Sequence, residues 1–357
     1  MHIPDGYLSP STCATLYAGA IAGWYAAVRR LKRTLLGRMV PLISVFAAFA
    51  FVIMMFNLPL PGGTTGHAIG VTIAAIVLGP SGAILAISIA LAIQALFFGD
   101  GGITTLGANC FNMAIVGSLV AYGSYWLVAA GAGIASKRRI AAAAIAGYLA
   151  VNAAALVAAI EFGIQPLLFH NAAGTPLYAP YSFRVAIPAM MAGHLSFAGL
   201  AEAVISAGLV AYLQVADPAL LRSTSKAASV EEGAARFRAR SPRRLWLTVA
   251  ILMMLTPVGI LAGGKAWSEW SPAEFAMAGS QAQISSAASL APATVPSGMQ
   301  RLANIWTAPF PAYAPTFVRT AAFGYLLSAM FGVGLLLSLS LLAQRHVQRR
   351  GKTECPE

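Results

Sequence analysis

Charge is what this chain has least of. Only 10% of its 357 residues are Asp, Glu, Lys or Arg, against roughly a quarter in soluble globular domains. With 58% hydrophobic residues and a mean hydropathy of +0.74, too few polar side chains exist to coat a water-facing surface. Much of the exterior must therefore meet lipid. Cysteine is also scarce: Cys13, Cys110 and Cys355 form no CxxC pair, which excludes a disulfide framework and a thiolate metal site and leaves them as packing residues. The N-terminus lacks a basic stretch ahead of an apolar run, so it does not read as a secretory signal. No basic segment is interleaved with base-stacking aromatics, so the net charge of +12 does not point to nucleic acid.

What is present is a series of long apolar runs. About 20 residues span a bilayer as a helix, and on that measure helices are expected near 12–28, 39–56, 68–79, 82–97, 108–134, 140–162, 186–214, 245–263 and 320–343. The pair around Gly79-Pro80-Ser81 reads as two short helices joined by a tight turn. Lys and Arg then set the orientation. With the N-terminus outside, 19 of the 23 basic residues fall in inner loops, and only Arg184, Lys265, Arg301 and Arg319 lie outside. The fold class expected is thus all-α: a polytopic bundle of about seven transmembrane helices over 1–214, a charged inner linker at 215–244, and a two-helix section at 245–357. That section carries an external loop at about 264–319. Residues 279–299 are Ala/Ser/Pro-rich and read as loosely ordered. Trp267, Trp270, Trp306, Phe310 and Tyr313 suit a headgroup belt.

The chemistry begins at residue 1. A free α-amine, the amide nitrogen of residue 2 and the His2 imidazole can close fused chelate rings on one metal ion. The amide must lose its proton, which favours Ni(II), Cu(II) or Co(II) in a square plane and disfavours Mg(II), Ca(II) and Mn(II). Three nitrogens need a fourth. His67, in the glycine-rich loop Pro61-Gly62-Gly63-Thr64-Thr65-Gly66-His67, is expected on the same outer face as Met1. From spacing alone, His2 reads equally as a tail residue and His67 as a helix cap.

Three stretches, MHIPDGYLSP, NLPLPGGTTGHAIG and IQALFFGDGGITTLGANCFNMA, resemble the CbiM/NikM family over about residues 1–214. These are the substrate-binding (S) components of energy-coupling-factor (ECF) transporters for cobalt and nickel. The resemblance implies metal ligation by Met1, His2 and His67, with the metal as cargo rather than cofactor. It also implies a transmembrane coupling (T) subunit, ATPase (A) subunits and residence in a bacterial or archaeal cytoplasmic membrane. Gln94, Asp100, Asn109 and Asn112 lie in the third stretch and could hydrogen-bond the N-terminus and imidazoles from outside the ligand shell, or serve the loop and the helix start. Thr256-Pro257-Val258-Gly259 with Lys265-Ala266-Trp267-Ser268-Glu269-Trp270 resembles the CbiN/NikN-like accessory subunit, whose implied role is to help load metal. That fusion tilts the cargo toward nickel.

His194 and Glu202 share a face of one apolar helix, where ionisable groups are costly and usually have a role. They read as a structural hydrogen bond or as a contact to a partner. His170 and His346 have no companion at ligand spacing. Ala18-Ala22-Ala26 and Gly19-Gly23-Ala27 form smooth faces on the first helix, suited to bundle packing or to docking the coupling subunit. Gly259–Ala266 has Ala266 where a P-loop needs Ser or Thr, so any ATP hydrolysis belongs to separate subunits and the chain itself is not expected to be an enzyme. The competing reading is a stand-alone secondary permease, for which Glu202 and His194 would be the only path residues. A sensor would need a larger inner domain.

Overall fold

The computed structural model describes residues 1–32, 36–60, 64–224, 243–261, 277, 281, 295–315 and 317–353. Residues 225–242 of the expected linker and the Lys265–Trp270 motif lie outside the described residues, as does most of the external loop.

Helix α1, Pro10–Lys32, begins where the sequence supplies a cap. Ser9 Oγ accepts from Thr12 N at 3.2 Å and Ser9 O accepts from Cys13 N at 2.9 Å, while Pro10 takes the first helical position, where its missing N–H costs nothing. Helix α2, Leu36–Met54, returns and leads into a hairpin of two three-residue strands, β1 (Leu58–Leu60) and β2 (Thr64–Gly66), paired antiparallel with Leu58 opposite Gly66. Apart from this hairpin and an isolated bridge between His170 and Pro176, the regular structure among the described residues is helical, as expected.

Helix α3, Val71–Phe98, would pass by length and hydropathy for one membrane crossing of 28 residues. It is not one. The loop before it brings the His67 ring to 4.9 Å from the His2 ring, and the loop after it brings Asp100 Oδ1 to 2.7 Å from His2 Nδ1. A straight helix of that length would hold its ends about 40 Å apart. The chain doubles back at Gly79, whose φ of 72° and ψ of 169° lie outside the helical region; Pro80, lacking a backbone donor, opens the second arm. The two short helices expected around Gly79-Pro80-Ser81 are therefore arms of a helical hairpin.

The remaining helices are α4 (Leu106–Ala129), α5 (Lys137–Leu168), α6 (Phe183–Ala216), α7 (Arg243–Leu255), the short α8 (Ser297–Leu302) and α9 (Ala321–Thr353). Helix α5 runs six residues past the end expected at 162, because Pro166 sits in its last turn without stopping it. Most of its alanines, including Ala146, Ala150 and Ala154, are fully buried. A Cβ on Gly147 would come within 2.9 Å of Glu202 O, so α5 and α6 approach backbone to backbone, the small-residue packing favoured where lipid replaces water. On the outside, Leu119, Leu127, Leu149, Leu167 and Val204 are exposed, as a lipid-facing surface requires.

At the end that holds the basic loops, Arg139 is buried and donates to Ala132 O, Tyr125 Oη and Leu221 O at 3.2–3.3 Å. It ties the α4–α5 loop to the 3₁₀ turn Pro218–Thr224 that follows α6, and this turn packs in turn against α3.

The C-terminal section packs onto the bundle. Helices α7 and α9 both lie against α2. A Cβ on Gly332 would strike the Phe51 ring, and Tyr325 donates to Met55 O at 3.2 Å. Two local expectations change here. Residues 297–299 belong to α8, with Met299 fully buried. Tyr313 lies not in a headgroup belt but inside the protein, 5% exposed.

Candidate metal site

The N-terminal segment is a plug seated in the bundle: Met1, His2 and Ile3 are 5%, 3% and 0% exposed. Its main chain is pinned at Ile3. The Ile3 N–H donates to Asn109 Oδ1 at 2.8 Å, and Ile3 O accepts from Gly102 N at 2.9 Å, Asn109 Nδ2 at 3.1 Å and Thr105 Oγ1. One turn on, the Asp5 carboxylate accepts from Ile103 N at 3.1 Å, Thr104 N at 2.7 Å and Thr104 Oγ1. A Cβ on Gly102 would overlap Asp5, so the close approach of plug to loop needs glycine there. Ser9 N then donates to Gln165 Oε1 at 2.9 Å, which fixes the start of α1 on α5.

His67 enters from the other side. Its ring stands edge-on to His2, with interplanar angle 88°. Its Nδ1 lies 3.1 Å from Ala68 O; as the donor in that bond it leaves Nε2 with the ring's lone pair. Burial, reinforced by the positive charge His2 and the chain amine can carry nearby, holds the His67 pKa well below its ordinary 6.5, so the ring is neutral and ready to ligate. The loop is fixed from below by Glu202, whose carboxylate accepts from Ile69 N and Gly70 N at 2.8 Å and Thr72 N at 3.3 Å. It satisfies the orphan donors at the start of α3, two residues past His67. Glu202 is thus a structural hydrogen-bond acceptor that positions a candidate ligand.

Of the four residues expected around the ligands, three reach the site. Asp100 Oδ1 meets His2 Nδ1, and Asn109 brackets Ile3. Gln94 Nε2 donates to Tyr313 Oη at 2.9 Å and lies 3.5 Å from Asp100 Oδ2. Burial alone would raise the Asp100 pKa; the opposed His2 ring and the hydroxyl of Tyr313 outweigh it and hold the acid well below its ordinary 3.8. Asn112 is elsewhere: its Nδ2 donates to Glu161 Oε2 at 2.8 Å.

Two residues escaped the reading of the sequence. Glu161 is a buried carboxylate inside α5, visible in the sequence as an acid in an apolar run. Tyr313, from the C-terminal section, donates to Asp100 Oδ2 at 2.6 Å, and no local pattern marks it. Three π-helical turns, Gln94–Phe98, Cys110–Val116 and His194–Ala198, widen α3, α4 and α6; such turns often mark functional sites. His194 Nδ1 donates to Met190 O, 2.8 Å away. Among the described residues no three His, Cys, Asp or Glu side chains gather to hold a metal.

Residues 2–220 match the family model described as CbiM, cobalt uptake substrate-specific transmembrane region. The chain is 52% identical to the fused nickel transport protein NikMN of Rhodobacter capsulatus, over 95% of each chain. It is similar to a crystal structure titled as a transition metal transporter, with TM-score 0.57 and 48% identity, covering 68% of this chain and all of that one. A truncated transition metal transporter matches at TM-score 0.56 and 52% identity, over 60% of this chain and 98% of the other.

Proposed function

Since the chain belongs to the CbiM family, and is a membrane component of nickel or cobalt transport rather than an enzyme, we propose that it captures divalent nickel or cobalt at the outer face through an N-terminal square of nitrogens. The donors are the Met1 amine, the His2 amide nitrogen, His2 Nδ1 and His67 Nε2. The observation that carries this reading is a buried chain terminus whose His2 ring faces His67 at 4.9 Å. Among the described residues the side chains alone supply too few donors, and main-chain nitrogen completes the set.

Ring size selects the His2 atom. Amine and amide nitrogens close a five-membered ring on the metal, and amide nitrogen with Nδ1 closes a six-membered one; Nε2 is too far around the imidazole. The metal-free chain has Nδ1 against Asp100, so loading exchanges this contact for the metal while the plug stays anchored at Ile3 and Asp5. Loss of the amide proton restricts the cargo to ions that bind nitrogen strongly in plane. The same chemistry fits nickel and cobalt; the fused C-terminal section tilts the reading toward nickel.

Capture is only half of import. The family resemblance supports a separate coupling subunit and two ATPase subunits that supply the work, with the N-terminus outside and the C-terminus inside. On α1 the two smooth faces have parted company. Gly19 and Gly23 pack against Phe111 and Ile115 of α4, whereas Ala18, Ala22 and Ala26 are exposed. The alanine face is the one free to dock a coupling subunit.

The test is an N-terminal extension of three residues. (A single added residue would itself create an amino-terminal triplet ending in histidine, which supplies four nitrogens unaided.) Ni(II) titration of the purified protein should show high-affinity binding lost on extension and on His67→Ala, and retained in His170→Ala, whose ring is exposed. Undiminished binding after extension would remove the amine from the site.

A further inference from the structure

The C-terminal section reaches the metal site through one side chain. Tyr313 Oη donates to Asp100 Oδ2 at 2.6 Å and accepts from Gln94 Nε2 at 2.9 Å, while the other Asp100 oxygen faces His2 Nδ1 at 2.7 Å. The Tyr313 ring stacks on Phe98 with centroids 4.8 Å apart and planes at 22°, and it meets Phe51 edge-on. Its backbone is also unusual: Ala312 and Tyr313 have φ of 52° and 59°, two successive non-glycine residues in the left-handed region. Such a conformation persists only where the surroundings over-determine it. Here Phe310 N donates to Phe97 O at 2.9 Å, Trp306 Nε1 to Leu96 O at 3.0 Å and Ser328 Oγ to Tyr313 O at 3.0 Å. The segment is strapped along the end of α3, and the strap delivers the hydroxyl to Asp100.

We propose that Tyr313 is a positioning residue for metal capture, acting through the Asp100 carboxylate it holds beside His2. This rests on the reading of His2 as a ligand. A carboxylate turns readily about its last torsion. With Oδ2 tied to Tyr313, Asp100 keeps its negative charge beside the place a dication enters, where that charge stays favourable after the metal has taken His2 Nδ1 from it. Without the hydroxyl, Oδ2 keeps only the long contact to Gln94, and the charge is free to swing away. The metal site of the bundle is therefore completed from the C-terminal section.

The test is a double-substitution cycle on the full-length protein. It uses wild type, Tyr313→Phe, Asp100→Asn and the double variant, read by Ni(II) dissociation constant and by the visible absorption band of planar nickel. Phenylalanine keeps the stacked ring, so helicity and thermal midpoint are expected to hold. Tyr313→Phe should weaken binding about tenfold or more, as the charge beside the incoming dication is loosened. It should cost nothing further once Asp100 is Asn. A purely structural role would instead add the same loss in both backgrounds. Unchanged or tighter binding in Tyr313→Phe, or additive losses, would overturn the proposal. Should Tyr313→Phe fail to accumulate, Gln94→Leu removes the donor to the same hydroxyl, and its loss should likewise vanish with Asp100→Asn. Wild type is the control that separates the two claims. If it shows no planar nickel band sensitive to His67→Ala, the ligand set is wrong; if it does and Tyr313→Phe matches it, only the role of Tyr313 falls.

Discussion

Asn109→Leu should weaken nickel binding without touching any proposed ligand. Leucine nearly preserves the shape of a side chain that is 2% exposed, but removes both polar atoms that bracket Ile3. The Ile3 N–H, held now at 2.8 Å, is left buried with no acceptor, and Ile3 O loses one of its three donors. An orphaned buried donor costs about 1–3 kcal/mol and an ordinary hydrogen bond about 1 kcal/mol, so the seated plug loses about 2–4 kcal/mol. At 1.4 kcal/mol per tenfold the ceiling is a roughly 30- to 700-fold weaker dissociation constant. Part is absorbed by whatever margin holds the metal-free plug in place, because affinity falls only as the seated fraction falls. A loss of about tenfold or more is expected in isothermal titration with Ni(II). The same unseating should speed acylation of the Met1 amine in metal-free protein. If affinity and amine reactivity both stay at wild-type levels in a folded variant, the plug is not what positions the chelate.

Glu202→Gln should lower the thermal midpoint and weaken nickel binding together, since a single amide oxygen cannot accept from Ile69, Gly70 and Thr72 at once; normal binding with abolished uptake would instead favour the permease reading. The metal-free protein should lose stability as pH falls below about 6.5. There the unfolded chain protonates His67 while the folded one, with its lowered pKa, does not, so the unfolded state binds more protons. Thermal midpoints from pH 8 to pH 5 should be flat above about pH 7 and then decline. His67→Gln should flatten that decline; an unchanged profile would refute the assignment.

Much of this was readable from residues alone because the signals are local. Apolar run lengths located the main helices, Gly79-Pro80 marked the reversal in α3, and Ser9-Pro10 lies where α1 starts. The proposed ligand set begins at the chain end, so its chelate geometry rests on two consecutive residues. What stayed hidden depends on tertiary contact. Nothing near Tyr313 indicates that it crosses to Asp100, 213 residues away in sequence; as an aromatic in an external loop it has the composition of a headgroup belt. Asn112 looked equivalent to Asn109, yet α4 is widened there by a π-turn, and Asn112 bonds Glu161 instead. The two smooth faces of α1 were indistinguishable by composition. Only Phe111 and Ile115 of α4 decide which is covered.

The central claim is that nickel sits in four nitrogens, two of them from the main chain. Nickel K-edge X-ray absorption on the loaded, full-length protein tests it most directly. The predicted spectrum is that of a planar site with four nitrogen neighbours, losing its planar signature in His67→Ala. A six-coordinate, oxygen-rich spectrum, or a planar one indifferent to His67, would contradict the account.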